Sequence, residues 1–308
     1  MKILFVSSGN NFSGPSPIII NQGNSLIKEG VQLHYFTINS KGIAGYSQNI
    51  FRLRAFLRTN QFDVIHAHYS WSAFVASLAG ARPLVVSLMG SDIKAKTIFK
   101  ILIRIFAALS WHTVIVKSHD AWVSLGLKKA NIIPNGVDFE RFKPIEKDTA
   151  LEVTKWDKLK KHVLFAANPS REEKNFPLAK KAFDNMNYPN AELHFLSGIS
   201  NELVPYYYNS SDVVLLTSLW EGSPNVIKEA MACNIPVVAT DVGDIKTVIG
   251  GIEGCYVSPF DAAKLAIGLK NALVFSCRTR GRSSISHLNS ASVAQELIRL
   301  YKNVLPLK

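Results

Sequence analysis

Short, continuously apolar runs alternate along this chain with longer segments whose apolar residues recur at helical spacing. The runs cover residues 3–7, 33–38, 64–68, 84–88, 113–116 and 132–134. Helical spacing marks 18–29, 46–59, 72–79, 98–109 and 119–125. Strands apolar on both faces, separated by helices, predict a parallel sheet covered on both sides.

A turn signal, Asn135-Gly136-Val137-Asp138, and the polar, proline-marked stretch from Phe142 to Asp148 interrupt this rhythm. It then restarts, with strands predicted at 163–167, 193–196, 213–216 and 237–240. Helices are predicted at 177–186, 203–210, 224–232, 261–273 and 292–305. The fold class is therefore α/β, with two Rossmann-like doubly wound domains in tandem. The first domain is placed at 1–145, the second at 146–290 and a terminal helix at 291–308. In open α/β sheets ligands sit outside the carboxyl ends of the strands, so two facing domains imply a cleft between them.

Composition narrows the class. Hydrophobic residues make up 47% of the 308 and charged ones 19%, enough apolar material for real cores. The cysteines Cys233, Cys255 and Cys277 are too few and too scattered for a disulfide framework, which suggests a reducing, cytoplasmic setting. The start lacks the long apolar run of a signal sequence, and no run is long enough to span a membrane. Net charge is +12, of which residues 1–150 hold +9. Such a field attracts phosphate-bearing ligands or an anionic membrane surface, or serves solubility alone.

The most informative stretch runs from Thr217 to Thr240 and contains Trp220-Glu221-Gly222-Ser223-Pro224-Asn225-Val226-Ile227-Lys228-Glu229-Ala230-Met231-Ala232. A strand leads into a loop, and Pro224 suits the first turn of a helix. Unpaired amides at a helix start can hold a phosphate. Glu221 and Glu229 can accept hydrogen bonds from sugar or ribose hydroxyls. By residue type alone, two glutamates near a helix are mostly solvated surface.

This block resembles the E-x7-E region of the retaining family 4 glycosyltransferases, which have the GT-B fold. Further segments fit that family in the same order: Asp63-Val64-Ile65-His66-Ala67-His68, Pro134-Asn135-Gly136-Val137-Asp138, Lys174-Asn175, and Tyr206-Tyr207-Tyr208 with Ser211-Asp212-Val213. The resemblance implies that Glu229 binds the ribose of a nucleoside-diphosphate sugar and that Glu221 contacts the donor sugar and serves catalysis. It implies that the loop of Ser223, Pro224, Asn225 and Val226 lies by the diphosphate and that Lys174 neutralises it. Gly198 and Ile199 are placed by the nucleobase, and the loop bearing Gly14 near phosphate and acceptor. The terminal helix is expected to cross back to the first domain. No Asp-x-Asp motif is present and the histidines show no ligand-like spacing, so no metal or other cofactor is expected.

The chain departs from the family pattern in three places. Pro169 stands where many relatives have an arginine, and Arg171 is the nearby replacement. Met89 stands where relatives often have a histidine, with Asp92 or His68 as candidates to cover its catalytic role. The second domain is also short. His66 and His68 share one strand face by their period of two, and His68 lies nearer the carboxyl end. A cleft-facing catalytic histidine and a packed strand-end histidine both fit.

The expected partners are a nucleotide-sugar donor, a sugar or lipid-linked acceptor and an anionic membrane surface, the last suggested by Lys94, Lys96, Lys100 and Arg104. No nucleic acid is expected. Surface-polysaccharide synthesis such as lipopolysaccharide is the implied setting. The alternatives are a nucleotide-sugar epimerase on the same fold and a binding partner subunit without turnover. A dinucleotide oxidoreductase is disfavoured, because no Gly-x-Gly-x-x-Gly follows a strand.

Overall fold

The computed structural model describes residues 1–9, 14–39, 42–89, 92, 97–275 and 277–305. Gly90, Ser91, Lys94, Lys96 and most of the loop preceding Gly14 lie outside the described residues.

The chain divides into two compact units, Met1–Gly136 with Ser290–Lys308, and Val137–Asn289. The first contains a six-stranded sheet of β1 (Lys2–Ser8), β2 (Gln32–Ile38), β3 (Val64–His68), β4 (Leu84–Ser87), β5 (Thr113–Val116) and β6 (Asn131–Ile132). The second contains β7 (Lys161–Phe165), β8 (Ala191–Phe195), β9 (Val213–Leu216), β10 (Val237–Thr240) and β11 (Tyr256–Ser258). Every strand pair is parallel, and the orders are β2-β1-β3-β4-β5-β6 and β11-β10-β9-β7-β8. Read from its own first strand, the second unit follows the doubly wound order 2-1-3-4-5, and the first follows the same order with a sixth strand added at the end. The order reverses between β1 and β3 and again between β7 and β9, and such switch points open a crevice at the strand carboxyl ends.

Continuous burial explains why the apolar runs became strands. Ile3, Leu4, Phe5 and Val6 are all fully buried, alternately facing two cores. Leu4 and Val6 pack with Ile65, Val86 and Val116. Ile3 and Phe5 pack with Ile19, Leu26, Val85 and Ile115, and this second core is closed by Val293, Ala294, Leu297, Leu300 and Tyr301 from the helix Ser290–Val304. The terminal helix thus belongs to the first unit. The segment 137–145 does not: Val137 and Phe142 are buried against Leu164, Tyr208 and Ile227, so the second unit begins before residue 146.

Candidate functional site

In the second unit the loops after β7 and β9 meet. Lys174 lies in the 3-10 turn Glu172–Lys174 and is 8% exposed. Its ammonium pairs with Glu221 Oε1, which also accepts a 2.7 Å bond from the Ser218 hydroxyl. The loops are stitched by three further bonds. Thr217 Oγ1 donates to the carbonyls of Lys174 and Asn175, both at 3.0 Å, and the Leu219 amide donates to the Glu173 carbonyl at 2.9 Å. Thr240, at the end of β10, donates to the Ser218 carbonyl at 2.9 Å. The cation and carboxylate are therefore held at the switch point by backbone contacts from three strands.

Gly243 sets how closely the next loop approaches. Its φ is +62°, and a Cβ there would lie 2.6 Å from the Gly222 carbonyl oxygen and 2.9 Å from that of Glu221. Only glycine fits this backbone contact without displacing the Glu221 loop. Beside it the Ser223 hydroxyl donates to Asp244 Oδ2, while the buried Asp244 Oδ1 has no hydrogen-bond partner among the described residues. The buried Asn225 Oδ1 lacks one too. Orphaned acceptors are uncommon in folded interiors and mark a place where a ligand or water completes the bonding.

The helix spans Asn225–Ala232, so Pro224 is its N-cap, extended at ψ 121°, and not its first helical residue. Proline supplies no side-chain cap, which leaves the first amides of the helix, including those of Asn225 and Val226, without an acceptor from it. Glu229 lies about one turn on, retaining some accessible surface. It accepts a 2.8 Å bond from the Tyr208 hydroxyl. Burial raises its pKa, opposed by the Tyr208 bond and the charges of Arg141 and Lys228. Lys228 is fully buried, and burial lowers its pKa to about 8 despite the neighbouring Asp244 and Glu229.

Other expectations fared differently. Arg171 points outward, its side chain 58% exposed and its guanidinium 2.5 Å from Glu173. Gly198, at φ +69°, and Ile199 lie in the loop after β8. Gly14 has open space around its missing Cβ; Gly9 is the crowded glycine, where a Cβ would fall 2.2 Å from Thr37 Cγ2.

Asp92 is buried and its oxygens are engaged: Oδ1 accepts from the Ser70 hydroxyl at 2.5 Å and Oδ2 from the Met89 amide at 2.7 Å. These bonds tie Asp92 to Met89 and to the start of the helix Ser70–Leu78. His68 is fully enclosed, stacked 4.3 Å from the His66 ring and 4.5 Å from Phe5. Burial, then the nearby Lys117, lowers its pKa to about 3, so it stays neutral and cannot collect a proton near neutrality. Neither ring nitrogen has a partner among the described residues, whereas His66 bonds both Tyr301 and Ser87.

Sequence reasoning missed Tyr208, Ser218 and Asp244. Tyr208 packs its ring against Phe142, and its hydroxyl reaches Glu229. The expectation that no histidines are spaced as ligands also needs correction: His162, Glu192 and His194 come together through strand pairing.

Comparison with known proteins gives a consistent picture. A model described as Glycosyltransferase Family 4 matches residues 18–141, and one described as Glycosyl transferases group 1 matches 149–274. TuaC of Bacillus subtilis (strain 168), provisionally named a teichuronic acid biosynthesis glycosyltransferase, is 27% identical over 234 residues, 66% of this chain and 59% of its own. This chain therefore spans about three-fifths of that relative. An Escherichia coli protein named UDP-Gal:alpha-D-GlcNAc-diphosphoundecaprenol alpha-1,3-galactosyltransferase is 26% identical over 242 residues, 63% of this chain and 62% of its own. Among solved structures, sucrose-phosphate synthase from Thermosynechococcus elongatus superposes with a TM-score of 0.84 at 17% identity, covering 99% of both chains. Anabaena HepE in complex with UDP-glucose gives 0.77 at 16% identity, covering 98% of this chain and all of that one.

Proposed function

The chain belongs to glycosyltransferase family 4, with the GT-B fold, and from that premise we propose that it moves a hexose from a nucleoside-diphosphate donor to an acceptor hydroxyl with retention. The observation that carries this reading is the Lys174–Glu221 pair held at the β7/β9 switch point beside the helix start at Asn225. Breaking the bond between the sugar and the diphosphate loads negative charge onto the leaving group. Lys174 and the amides of Asn225 and Val226 stabilise that charge as it forms, and a fixed cation needs no reorganisation to do so. The acceptor oxygen bonds to the sugar carbon as the old bond breaks, and the acceptor proton passes to the departing diphosphate. Glu221 receives donor-sugar hydroxyls, and Glu229, aimed by Tyr208, receives those of the ribose. Ser223 and Pro224 shape the diphosphate loop, and the Gly198–Ile199 loop borders the base. These steps use side chains and amides alone.

The acceptor side is assigned to the carboxyl ends of β1 and β3. Phe5 pairs with His66, so the strand period sets Ser7 beside His68 on one face. Among the described residues, the buried Ser7 and Ser16 hydroxyls and both His68 ring nitrogens have no hydrogen-bond partner. A lipid-linked acceptor at the inner face of a membrane suits the helix Thr97–Leu109. Ile98, Ile101, Leu102, Ile105 and Leu109 are exposed on it. Lys100 and Arg104 are engaged with Ser124 and the Leu125 carbonyl, so they brace this helix while adding positive charge. No described helix is long and apolar enough to cross a membrane. The diphosphoundecaprenol-linked substrate in the name of the Escherichia coli relative supports the same acceptor class.

The test is transfer and donor hydrolysis across a panel of nucleotide sugars, comparing wild type with Glu229→Ala and Glu221→Gln. Loss of donor affinity in the first and of turnover in the second is expected; equal turnover in all three would remove the assignment. A second reading, a nucleotide-sugar binder without turnover, draws on Pro169 and the outward Arg171. Tight binding of nucleoside diphosphate with no turnover of any donor, in the presence of lipid extract, would select it.

A further inference from the structure

The edge of the second sheet carries a cluster that the transfer reaction does not use. His162 on β7 pairs in register with Glu192 on β8, and the strand period puts His194 on the same face. His162 Nδ1 lies 3.0 Å from His194 Nε2. Glu192 Oε2 lies 4.0 Å from the first of these atoms and 3.6 Å from the second. A circle through three points so spaced has a radius of about 2.1 Å, and its centre falls inside the triangle. Zinc holds histidine nitrogens and carboxylate oxygens at roughly 2.0–2.2 Å. One ion can therefore touch all three donors with little movement of any.

Each donor is also aimed by a second contact. His162 Nε2 lies 2.9 Å from the Asp157 carbonyl oxygen, which can only accept. The proton must sit on Nε2, and Nδ1 turns a bare lone pair toward His194. The His194 ring lies flat on the Trp156 indole, 3.7 Å between centroids and 13° between planes. Glu192 Oε1 is held by Lys160 at 2.5 Å, which leaves Oε2 facing the imidazoles. Carbonyl and charged partners behind the ligands are what orient a metal's ligand set. His162 is buried while Glu192 is 36% exposed, so an ion has an approach from solvent.

We propose that His162 Nδ1, His194 Nε2 and Glu192 Oε2 form a binding site for a divalent transition metal of the zinc class, with water completing the shell. Two imidazoles and a carboxylate suit zinc, cobalt or nickel better than magnesium or calcium, which favour all-oxygen shells. The ion would clip edge strand β8 to β7, upstream of the loop that holds Gly198. This inference stands apart from the glycosyl-transfer reading.

The experiment is zinc titration of the metal-stripped full chain, with a chelating dye as competitor and thermal unfolding alongside. One equivalent should bind and raise the unfolding temperature, because an ion that binds only the folded state stabilises it. Glu192→Gln and His194→Gln, checked for native circular dichroism, should each weaken binding at least tenfold, whereas Glu229→Ala should leave it unchanged. Absence of saturable binding to wild type would overturn the proposal. So would undiminished binding in both ligand variants, which would trace the metal to adventitious sites such as the exposed Cys277 thiol.

Discussion

The Tyr208 hydroxyl donates a 2.8 Å hydrogen bond to Glu229 from a ring with no exposed surface. A buried tyrosine thus fixes the direction of the carboxylate assigned to the donor ribose. Tyr208→Phe removes the bond and keeps the packing. Hydrogen bonds to charged groups contribute about 1.5–3 kcal/mol, so nucleoside-diphosphate affinity should fall roughly tenfold or more. The variant should also move the pH profile. Burial raises the Glu229 pKa and the Tyr208 bond opposes that rise. Its loss should push the acid limb of donor binding to higher pH, as titration calorimetry at several pH values would reveal. For the fold the sign is opposite. A raised carboxyl favours the folded state below the ordinary carboxylate range, and that contribution is lost as pH climbs through the raised value.

Gly243→Ala tests the loop geometry. The added methyl meets two carbonyl oxygens at 2.6 and 2.9 Å in a backbone conformation that alanine avoids. Stability should fall by about 1–3 kcal/mol in urea unfolding, and transfer should fall further than that loss explains, because the Glu221 loop must shift. Wild-type turnover in the variant would argue against a rigid loop.

His68 should shape acid stability. Its folded pKa is near 3, against about 6.5 for a free histidine. Above about 6.5 both folded and unfolded chains leave this site neutral. As pH falls toward 3 the unfolded chain takes up a proton that the folded chain refuses, costing up to about 1.4 kcal/mol per pH unit. His68→Leu should therefore lose less stability than wild type between pH 7 and pH 5. At pH 7 it should unfold within about 1 kcal/mol of wild type, since no hydrogen bond is broken. Parallel urea melts at the two pH values check both statements.

The exposed apolar row on the helix Thr97–Leu109 gives a membrane prediction. Ile98→Glu combined with Ile105→Glu should lower binding to vesicles containing anionic phospholipid at least tenfold in sedimentation assays. Both side chains face solvent, so the unfolding temperature should barely change. Equal vesicle binding would detach this helix from any lipid role.

The sheets were readable from the sequence because parallel strands buried on both faces leave continuous apolar runs such as Ile3–Val6 and Val213–Leu216. β11 escaped because Tyr256-Val257-Ser258 is a three-residue edge strand, two of whose residues are only partly buried. The helix Lys147–Thr154 escaped because Ala150 and Leu151 are its only fully buried residues. Glu221, Glu229 and Lys174 were singled out through motif order, and the pairing of Lys174 with Glu221 across 47 positions needed coordinates. The bonds that Asp92 accepts from Ser70 and Met89 likewise needed coordinates, because Ser70 lies 22 positions away. The His162–Glu192–His194 cluster was invisible because strand register, not sequence interval, joins it.

The helix Ser290–Val304 closes a core begun by residues 3 and 5. During synthesis the second unit, an unbroken stretch from Val137 to Asn289, can be completed while the first still lacks its closing piece. Until that last segment leaves the ribosome, Ile3 and Phe5 lack part of their cover and His66 lacks the Tyr301 hydroxyl. Of the two units, the one begun first is the one closed last.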